Sequence, residues 1–336
     1  MIRQILVTAA VFVAATAVAK SVEPVSLDTY ARAESDEQMK GYIEKYDSFG
    51  KFGHFRELYD VDNQITIRGN RDTVYSVAVF DLTTPLTITM PETGDRFQSL
   101  LIVNEDHSIF PAIYEPGEYE FTEDEYGTRY IFAIVRTFVD PGSEGDLDKV
   151  HALQDAIEVS QASTGTLEMP DWDTDRMHAF RDALNVLASS VSDTSAFFGI
   201  RDEVERLNHM MGVACCWGAN LPRDAIYLSY APDKNDGNIP HQLTVKDVPV
   251  DGFWSVTLYD GKGFIPKSET GIYSYNNVTA SPNDDGSFTI NFGHCDDDRL
   301  NCLEIVEDWN YLVRLYRPEE SVVDGNWKFP EAIPVH

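Results

Sequence analysis

Two short stretches concentrate the side chains able to do chemistry. The first is Arg68-Gly69-Asn70-Arg71-Asp72, which opens onto the run VAVFDL at 77–82. This strand is apolar on both alternating faces, with Val74, Ala78, Phe80 and Leu82 on one and Val77 and Val79 on the other. Charges at the entrance of such a strand survive only when paired and hydrogen-bonded. Two readings stay open. In one, Asp72 pairs with an arginine as a brace and Asn70 satisfies backbone groups. In the other, an arginine offers its planar fork to an anionic or carbonyl group, and Arg68, Asn70, Arg71, Asp72 and Tyr75 form a ligand-binding set.

The second stretch, VNEDH at 103–107, ends the apolar run SLLIV. Glu105 and His107 share one face and Asn104 and Asp106 the other. His107 is the candidate catalytic base, oriented by Glu105 or Asp106, with Asn104 added to the ligand contacts. Its alternatives are a satisfied structural histidine and half of a metal pair with Glu105. A closed metal site wants three or four ligands, so His241 and His294 would have to complete it. The sequence requires no cofactor, and a divalent metal is left open. No G-x-S-x-G elbow, phosphate loop or dinucleotide fingerprint occurs, and Ser76 has no local feature of an activated nucleophile.

The elements that must position these groups alternate between two patterns. From residue 61, NQITIRGN, TVYSVAVFDL, LTITMP, RFQSLLIVNED, YEFTE and TRYIFAIVRTF read as short strands separated by TTP, ETGDR, EPGE and EYGT. That spacing predicts an antiparallel sandwich or barrel. Helical spacing takes over in DLDKVHALQDAIEVSQ, in DTDRMHAFRDALNVLASSV with Asp173 or Thr174 as cap, and in RDEVERLNHMMG ending at Gly212. An earlier helical piece, SDEQMKGYIEKY, takes Ser35 as its N-cap. Strands return in RDAIYLSYA, HQLTVKDV, GFWSVTLYD, GIYSYNN, GSFTINFG and NYLVRLYRP. Phe253, Thr257 and Tyr259 alternate with Trp254, Val256 and Leu258, so GFWSVTLYD reads as a central strand covered on both faces. The fold class is mainly β with a helical segment. The expected divisions are a signal peptide at 1–19, a β-sandwich domain at 20–145, a helical segment at 146–212 and a second β-sandwich domain at 213–336.

The signal peptide rests on a lone Arg3, an apolar run from Ile5 to Ala19 too short to span comfortably, and the small-x-small Ala17-Val18-Ala19. The expected location is periplasmic or secreted, with no membrane span after cleavage. Acids outnumber bases 56 to 26, for a formal charge of −30, which argues against nucleic acid and anionic membrane surfaces as partners. An oxidising compartment favours a disulfide between Cys295 and Cys302, worth on the order of 2–3 kcal/mol for so short a loop. For adjacent Cys215 and Cys216 a vicinal disulfide is possible but strained, and small buried thiols are the expected state.

The wording of IRGNRDTVYS, VNEDH, GTRYIFAIVRTFVDP, KVHALQDAI, VKDVPVDGFWSVTLYD, NFGHCDDDRLNCL and WNYLVRLYRPEESVVDGNWKFPEA resembles a bacterial and viral family. Its members carry paired domains of unknown function, numbered 1254 (N-terminal) and 1214 (C-terminal). The resemblance runs from about residue 28 to the C-terminus and implies two jelly-roll-like sandwiches with helices between them. The pair Cys295 and Cys302 fits the family pattern; Cys215-Cys216 lies outside it. The leading expectation is an exported hydrolase acting on a small organic or carbohydrate-like substrate. A non-catalytic protein that binds a small molecule or glycan, or assembles as a homo-oligomer, is the alternative. Tyrosines and tryptophans such as Trp254, Tyr259 and Trp309 read chiefly as core.

Overall fold

Alternating side chains dominate the first half of the chain, and in a computed structural model they form two stacked sheets. The structure describes residues 22–64, 66–191, 194–295 and 299–335; the proposed signal peptide lies outside them. Helix α1 (Tyr30–Tyr46) precedes strands β1 (Gly53–His54), β2 (Thr73–Asp81), β3 (Leu86–Met90), β4 (Gln98–Asn104) and β5 (Gly117–Phe121). A short α2 (Glu123–Tyr126), β6 (Tyr130–Phe138), α3 (Asp146–Asp155) and β7 (Glu158–Gln161) complete this half. One antiparallel sheet has the order β1-β2-β6-β4, the other β5-β3-β7. Ala78, Phe80, Leu100, Ile102, Ile131 and Ala133 of the first sheet meet Leu86, Ile88 and Phe121 of the second. The opposite face of the first sheet, Val77, Val79, Leu101, Val103, Phe132 and Ile134, is covered by Met39 and Tyr42 of α1 and by Trp217. Both faces are buried, as the double alternation requires.

Helices α4 (Thr174–Ala188) and α5 (Arg206–Cys216) pack on α1 through Met177, Leu184, Met210 and Val213. The second sandwich contains β8 (Ala225–Tyr230), β9 (His241–Val245), β10 (Trp254–Tyr259), β11 (Ser274–Asn276), β12 (Phe288–Phe292), β13 (Cys302–Leu303), β14 (Asn310–Tyr316), α6 (Glu320–Val323) and β15 (Ile333–Pro334). Its sheets run β11-β10-β14-β8 and β13-β12-β9-β15, with β12 and β13 parallel. Trp254, Val256, Leu258, Val313 and Leu315 face Ile290, Phe292 and Leu303 in the core. The molecule is thus two jelly-roll-like β-sandwiches with helices between them, and β10 is central and buried throughout.

Local expectations fail in several places. The helical reading of DLDKVHALQDAIEVSQ holds only to Asp155, because Glu158–Gln161 pairs with β3 as β7, and that of RDEVERLNHMMG begins only at Arg206, where Glu205 caps the helix. NQITIRGN carries no strand among its described residues. Its polar groups instead reach the second sandwich: Gln64 exchanges hydrogen bonds with Ile265, and the Arg68 amide donates to Gly263 O, with Arg68 at φ 57°. Ser35 does not cap a helix; α1 begins a full turn earlier, and buried Ser35 accepts from Trp217 Nε1 at 3.0 Å. Gly212 does not end α5, which continues to Cys216. A Cβ there would lie 2.7 Å from Phe197 O, so this glycine serves close packing.

Candidate functional site at the junction of the sandwiches

The face of β11-β10-β14-β8 turned away from its core is unusually polar. One row across it reads Tyr227–Arg314–Ser255–Asn276. Across the junction stands a second row, Tyr75–Arg136–Ser99, on β2, β6 and β4. The segment Arg68–Asp72 lies between the two sandwiches and ties them together. Asn70 Nδ2 lies 3.2 Å from Tyr75 Oη, 3.1 Å from Tyr316 Oη and 3.1 Å from Thr73 Oγ1, while its Oδ1 accepts from the Asp72 amide at 2.9 Å. Asp72 Oδ1 accepts from Ser274 Oγ at 3.2 Å and Asn276 Nδ2 at 3.3 Å. The brace is real, but it runs to the opposite sandwich; among the described residues Asp72 makes no arginine ion pair of the kind expected.

Arg314 is fully engaged in this tie. It donates to Thr257 Oγ1 at 2.9 Å, Arg68 O at 2.9 Å and Tyr259 Oη at 2.7 Å. Arg68 bonds Asn310 and lies over the Tyr259 ring; Arg71 bonds Tyr59 O and lies over the Tyr273 ring. Arg136 is different. Its Nη2 donates to Gly218 O at 3.0 Å, but Nη1 has no hydrogen-bond partner although the residue is only 7% exposed. Asp72 Oδ2 and Ser255 Oγ are likewise buried without partners. Buried polar atoms are nearly always satisfied; among the described residues other exceptions, such as His107 Nδ1 and Asp36 Oδ1, lie elsewhere, but the junction holds three, one of them on a guanidinium.

Beside the junction, α1 and the segment leading into β2 enclose a cavity of about 750 Å³ whose lining includes Tyr42, Tyr46, Phe55, Tyr59, Asn70 and Tyr75; Arg136, Arg314, Tyr227 and Tyr316 lie outside that lining. A second recess, of about 610 Å³, is lined by Ser229, Asp260, Lys262, Asp308 and Asn310, and Arg68 lines both. Tyr227 presents 42% of its surface, while burial around its hydroxyl end raises the phenol pKa. Tyr75 titrates in the opposite sense. Burial pushes its phenol up, but the Arg136 guanidinium, 5.7 Å from the ring centre, and hydrogen bonds from Thr73 and Asn70 outweigh burial and hold it below its ordinary value. Burial pushes Tyr316 well up, with Tyr227 adding to the effect.

Asn104, Glu105, Asp106 and His107 sit at the other end of the same sheet and do not converge on this cavity. Asn104 Oδ1 accepts from the amides of Asp106 and Ser108 at 3.0 and 2.8 Å, and its Nδ2 donates to Tyr126 O at 2.8 Å. This is a loop brace in place of the expected ligand contact. Glu105 accepts from the Tyr130 amide at 3.0 Å. Asp106 is held by Arg32 at 2.8 Å and Arg201 at 3.0 Å. His107 is 1% exposed, and its Nε2 accepts from the Gly218 amide at 3.1 Å, which puts the ring proton on Nδ1. Desolvation, with His209 adding to it, drives its pKa down to about 3. The expected base thus stays neutral, bonds to no carboxylate and meets no solvent. His241 is buried beside Trp309 and exposed His294 lies in a loop, both in the second sandwich. Among the described residues no group of three or more His, Cys, Asp or Glu side chains is placed to hold a metal.

Residues 49–161 match the family model described as protein of unknown function (DUF1254), and residues 224–320 match that described as protein of unknown function (DUF1214). The chain carries the DUF1254–DUF1214 pair. Among curated proteins, none matches. Two crystal structures share the fold of this DUF1254–DUF1214 protein. One, a protein from Vibrio parahaemolyticus, is 15% identical with a TM-score of 0.68, covering 92% of this chain and 98% of its own. The other, an uncharacterized protein from Burkholderia cenocepacia, is 12% identical with a TM-score of 0.54, covering 92% and 88%.

The sequence reading missed Arg136, Arg314, Tyr227 and Tyr316 in the DUF1254–DUF1214 pair. A signal for the arginines is present. YIFAIVRTF and NYLVRLY each place one arginine inside a strand whose other residues read as buried. A charge in that position requires a partner, so both deserved the weight given to Arg68 and Arg71. Both cysteine pairs are disulfides. That of Cys295 and Cys302 was expected. Cys215 and Cys216 are bonded to each other rather than free, and Cys215 is exposed rather than buried.

Proposed function

We propose that the junction cavity receives a small organic anion with an apolar body, and that Tyr75 exchanges a proton with it. The carrying observation is the unpartnered Nη1 of buried Arg136, which stands behind the cavity wall, 5.7 Å from the ring centre of the lining residue Tyr75. The surrounding donors strengthen it. Tyr75 Oη and Tyr316 Oη each accept from Asn70, and Tyr227 Oη accepts from Asn220 at 2.8 Å. Each phenol keeps its own proton to donate. The guanidinium and the phenol protons suit an acceptor-only group such as a carboxylate, and the unpartnered Asp72 Oδ2 at the same junction suits a donor on the same molecule. Tyr42, Tyr46 and Phe55 supply apolar walls, with Tyr46 and Phe55 stacked at 4.0 Å. A phenol that the Arg136 guanidinium holds below its usual pKa is the group on this wall suited to give up a proton.

Hydrolysis is a second reading, favoured by one contact: His54 Nδ1 lies 2.8 Å from Ser76 Oγ on the wall of the first sandwich. Ser76 is sealed from solvent and also receives Gln154 Nε2 at 3.2 Å, which supports binding and proton transfer over a serine nucleophile. Export belongs to the proposal as well, supported by two disulfides that an oxidising compartment would preserve. Titration calorimetry with benzoate tests the cavity. Saturable binding is expected in the wild type and in Tyr75→Phe, but not in Arg136→Met. Equal binding by wild type and Arg136→Met would refute the anion site.

A further inference from the structure

Helix α5 ends in the disulfide Cys215–Cys216, and the next two residues reach into the protein interior. Trp217 packs against Phe132 and His107, with ring centres 5.0 and 6.0 Å away, and its Nε1 donates to Ser35. Gly218 is wired to both ends of the sheet: its amide donates to His107 Nε2, and its carbonyl accepts from Arg136 Nη2. With φ at 73°, Gly218 adopts a left-handed turn that an L side chain rarely tolerates. Among the described residues, the one hydrogen bond that fixes the Arg136 guanidinium therefore comes from a residue two positions beyond the disulfide.

We propose that Cys215–Cys216 is an exchange site for dithiols, and that its redox state sets the position of Arg136. Cys215 is exposed and Cys216 half-buried, so a thiolate can approach the Cys215 sulfur. A bond forms between that sulfur and the attacking thiol while the Cys215–Cys216 bond breaks, and Cys216 leaves as a thiolate that takes up a proton. The second thiol of the reductant then attacks its own sulfur in the mixed disulfide and releases Cys215. The protein gains two electrons and two protons, and the dithiol becomes a disulfide. Opening the small ring joining neighbouring residues returns backbone freedom to the end of α5. Trp217 and Gly218 then lose the fixed exit that aims the Gly218 carbonyl at Arg136.

Cys295–Cys302 provides an internal control, since Cys302 is buried in β13 and Cys295 is half-buried. The redox step stands apart from the anion site, whereas its consequence for affinity rests on that reading. The experiment treats the native full-length chain with dithiothreitol, alkylates it and maps the adducts by mass spectrometry. Tryptophan emission and benzoate affinity are recorded on the same samples. Expected are two adducts on the 215–216 peptide before any at Cys295 or Cys302, a change in tryptophan emission at constant far-ultraviolet dichroism, and affinity lower by roughly tenfold. The Cys215→Ser/Cys216→Ser variant should reproduce the weakened affinity without reductant. Simultaneous opening of both disulfides, or opening only on unfolding, would overturn the exchange site. Unchanged emission and affinity after selective reduction, with the serine variant matching wild type, would overturn the link to Arg136. Failure of oxidised wild type to bind benzoate would count against the anion site alone, because adducts and emission need no ligand.

Discussion

The two ends of the first central sheet carry similar side chains with opposite fates. At one end Asn104, Glu105, Asp106 and His107 leave β4; at the other Asn70, Tyr75 and Arg136 gather around β2 and β6. Five residues of β6 separate Ile131, paired with Asn104, from Arg136, paired with Tyr75, or about 17 Å of strand. The Asn104 end folds back under α1 and α5. There its asparagine is matched by backbone, its aspartate by two arginines, and one nitrogen of its histidine by Gly218, while His107 Nδ1, without a partner among the described residues, lines neither cavity. The Arg136 end meets a second domain whose sheet face is itself polar, and Arg136 Nη1, Asp72 Oδ2 and Ser255 Oγ are left unpartnered there among the described residues. Polar residues at a strand end thus mark a ligand site only where the neighbouring element cannot satisfy them. A domain junction leaves such a surplus more readily than a loop that returns to its own sheet.

The largest effect should come from removing the unsatisfied charge. Arg136→Met is expected to weaken benzoate binding by roughly a hundredfold or more, the scale of losing a buried charge partner of an anion. The same change should leave the melting temperature unchanged or higher, because an apolar side chain of similar length replaces an incompletely paired buried cation. Calorimetry and thermal denaturation together decide it. A large fall in melting temperature would mean that Arg136 is a structural brace, and the contrast between the two ends would collapse.

His107→Ala examines the closed end. Truncation leaves a buried void against Trp217 and His209 and removes the acceptor of the Gly218 amide. A loss of about 2–4 kcal/mol is expected from these two costs, read from urea unfolding. A variant as stable as wild type would show that the imidazole is not a structural element and would reopen its candidacy as a base.

Much of the architecture was legible because alternation on strands and helical spacing report burial directly. Val77 and Val79 against Ala78 and Phe80 gave a sheet covered on both faces, and Asp173 caps α4, accepting from the Arg176 amide. Site geometry was less legible, since it depends on contacts between distant segments. Nothing local to VNEDH states that Arg32 and Arg201 will neutralise Asp106, or that Gly218 will reach His107. Likewise, the partners of Asp72 lie about two hundred residues downstream, at Ser274 and Asn276. Periodicity could place Arg68 and Asn70 at a strand entrance but could not say which surface would face them.

The smallest effect, and the one that sharpens the contrast most, concerns the acids sealed at the closed end. Asp36 on α1 is fully buried, accepts from Trp172 Nε1 at 2.8 Å, and lies near Glu105, whose own carboxyl is raised chiefly by burial. Burial pushes the Asp36 carboxyl up to about 7 and Glu105 adds to this; the Trp172 hydrogen bond, Arg32 and Lys40 oppose it. Between its unfolded value near 3.8 and about 7, the folded state holds a proton that the unfolded chain has released. Stability from this group is therefore complete below the unfolded value and declines as pH rises through the folded one. Asp36→Asn keeps an acceptor for Trp172 and removes the charge. The variant should match wild type near pH 5 and melt a few degrees higher near pH 8, a difference on the order of 1 kcal/mol. Asp36 lines neither cavity, so benzoate affinity should show no step over the same range that Asp36→Asn abolishes. A wild-type melting temperature that rises from pH 5 to pH 8, with the variant below it at both, would mean that Asp36 is held as a carboxylate by Arg32 and Lys40. In that case the closed end would be stabilised by ion pairing, and burial would not be the term that separates the two ends.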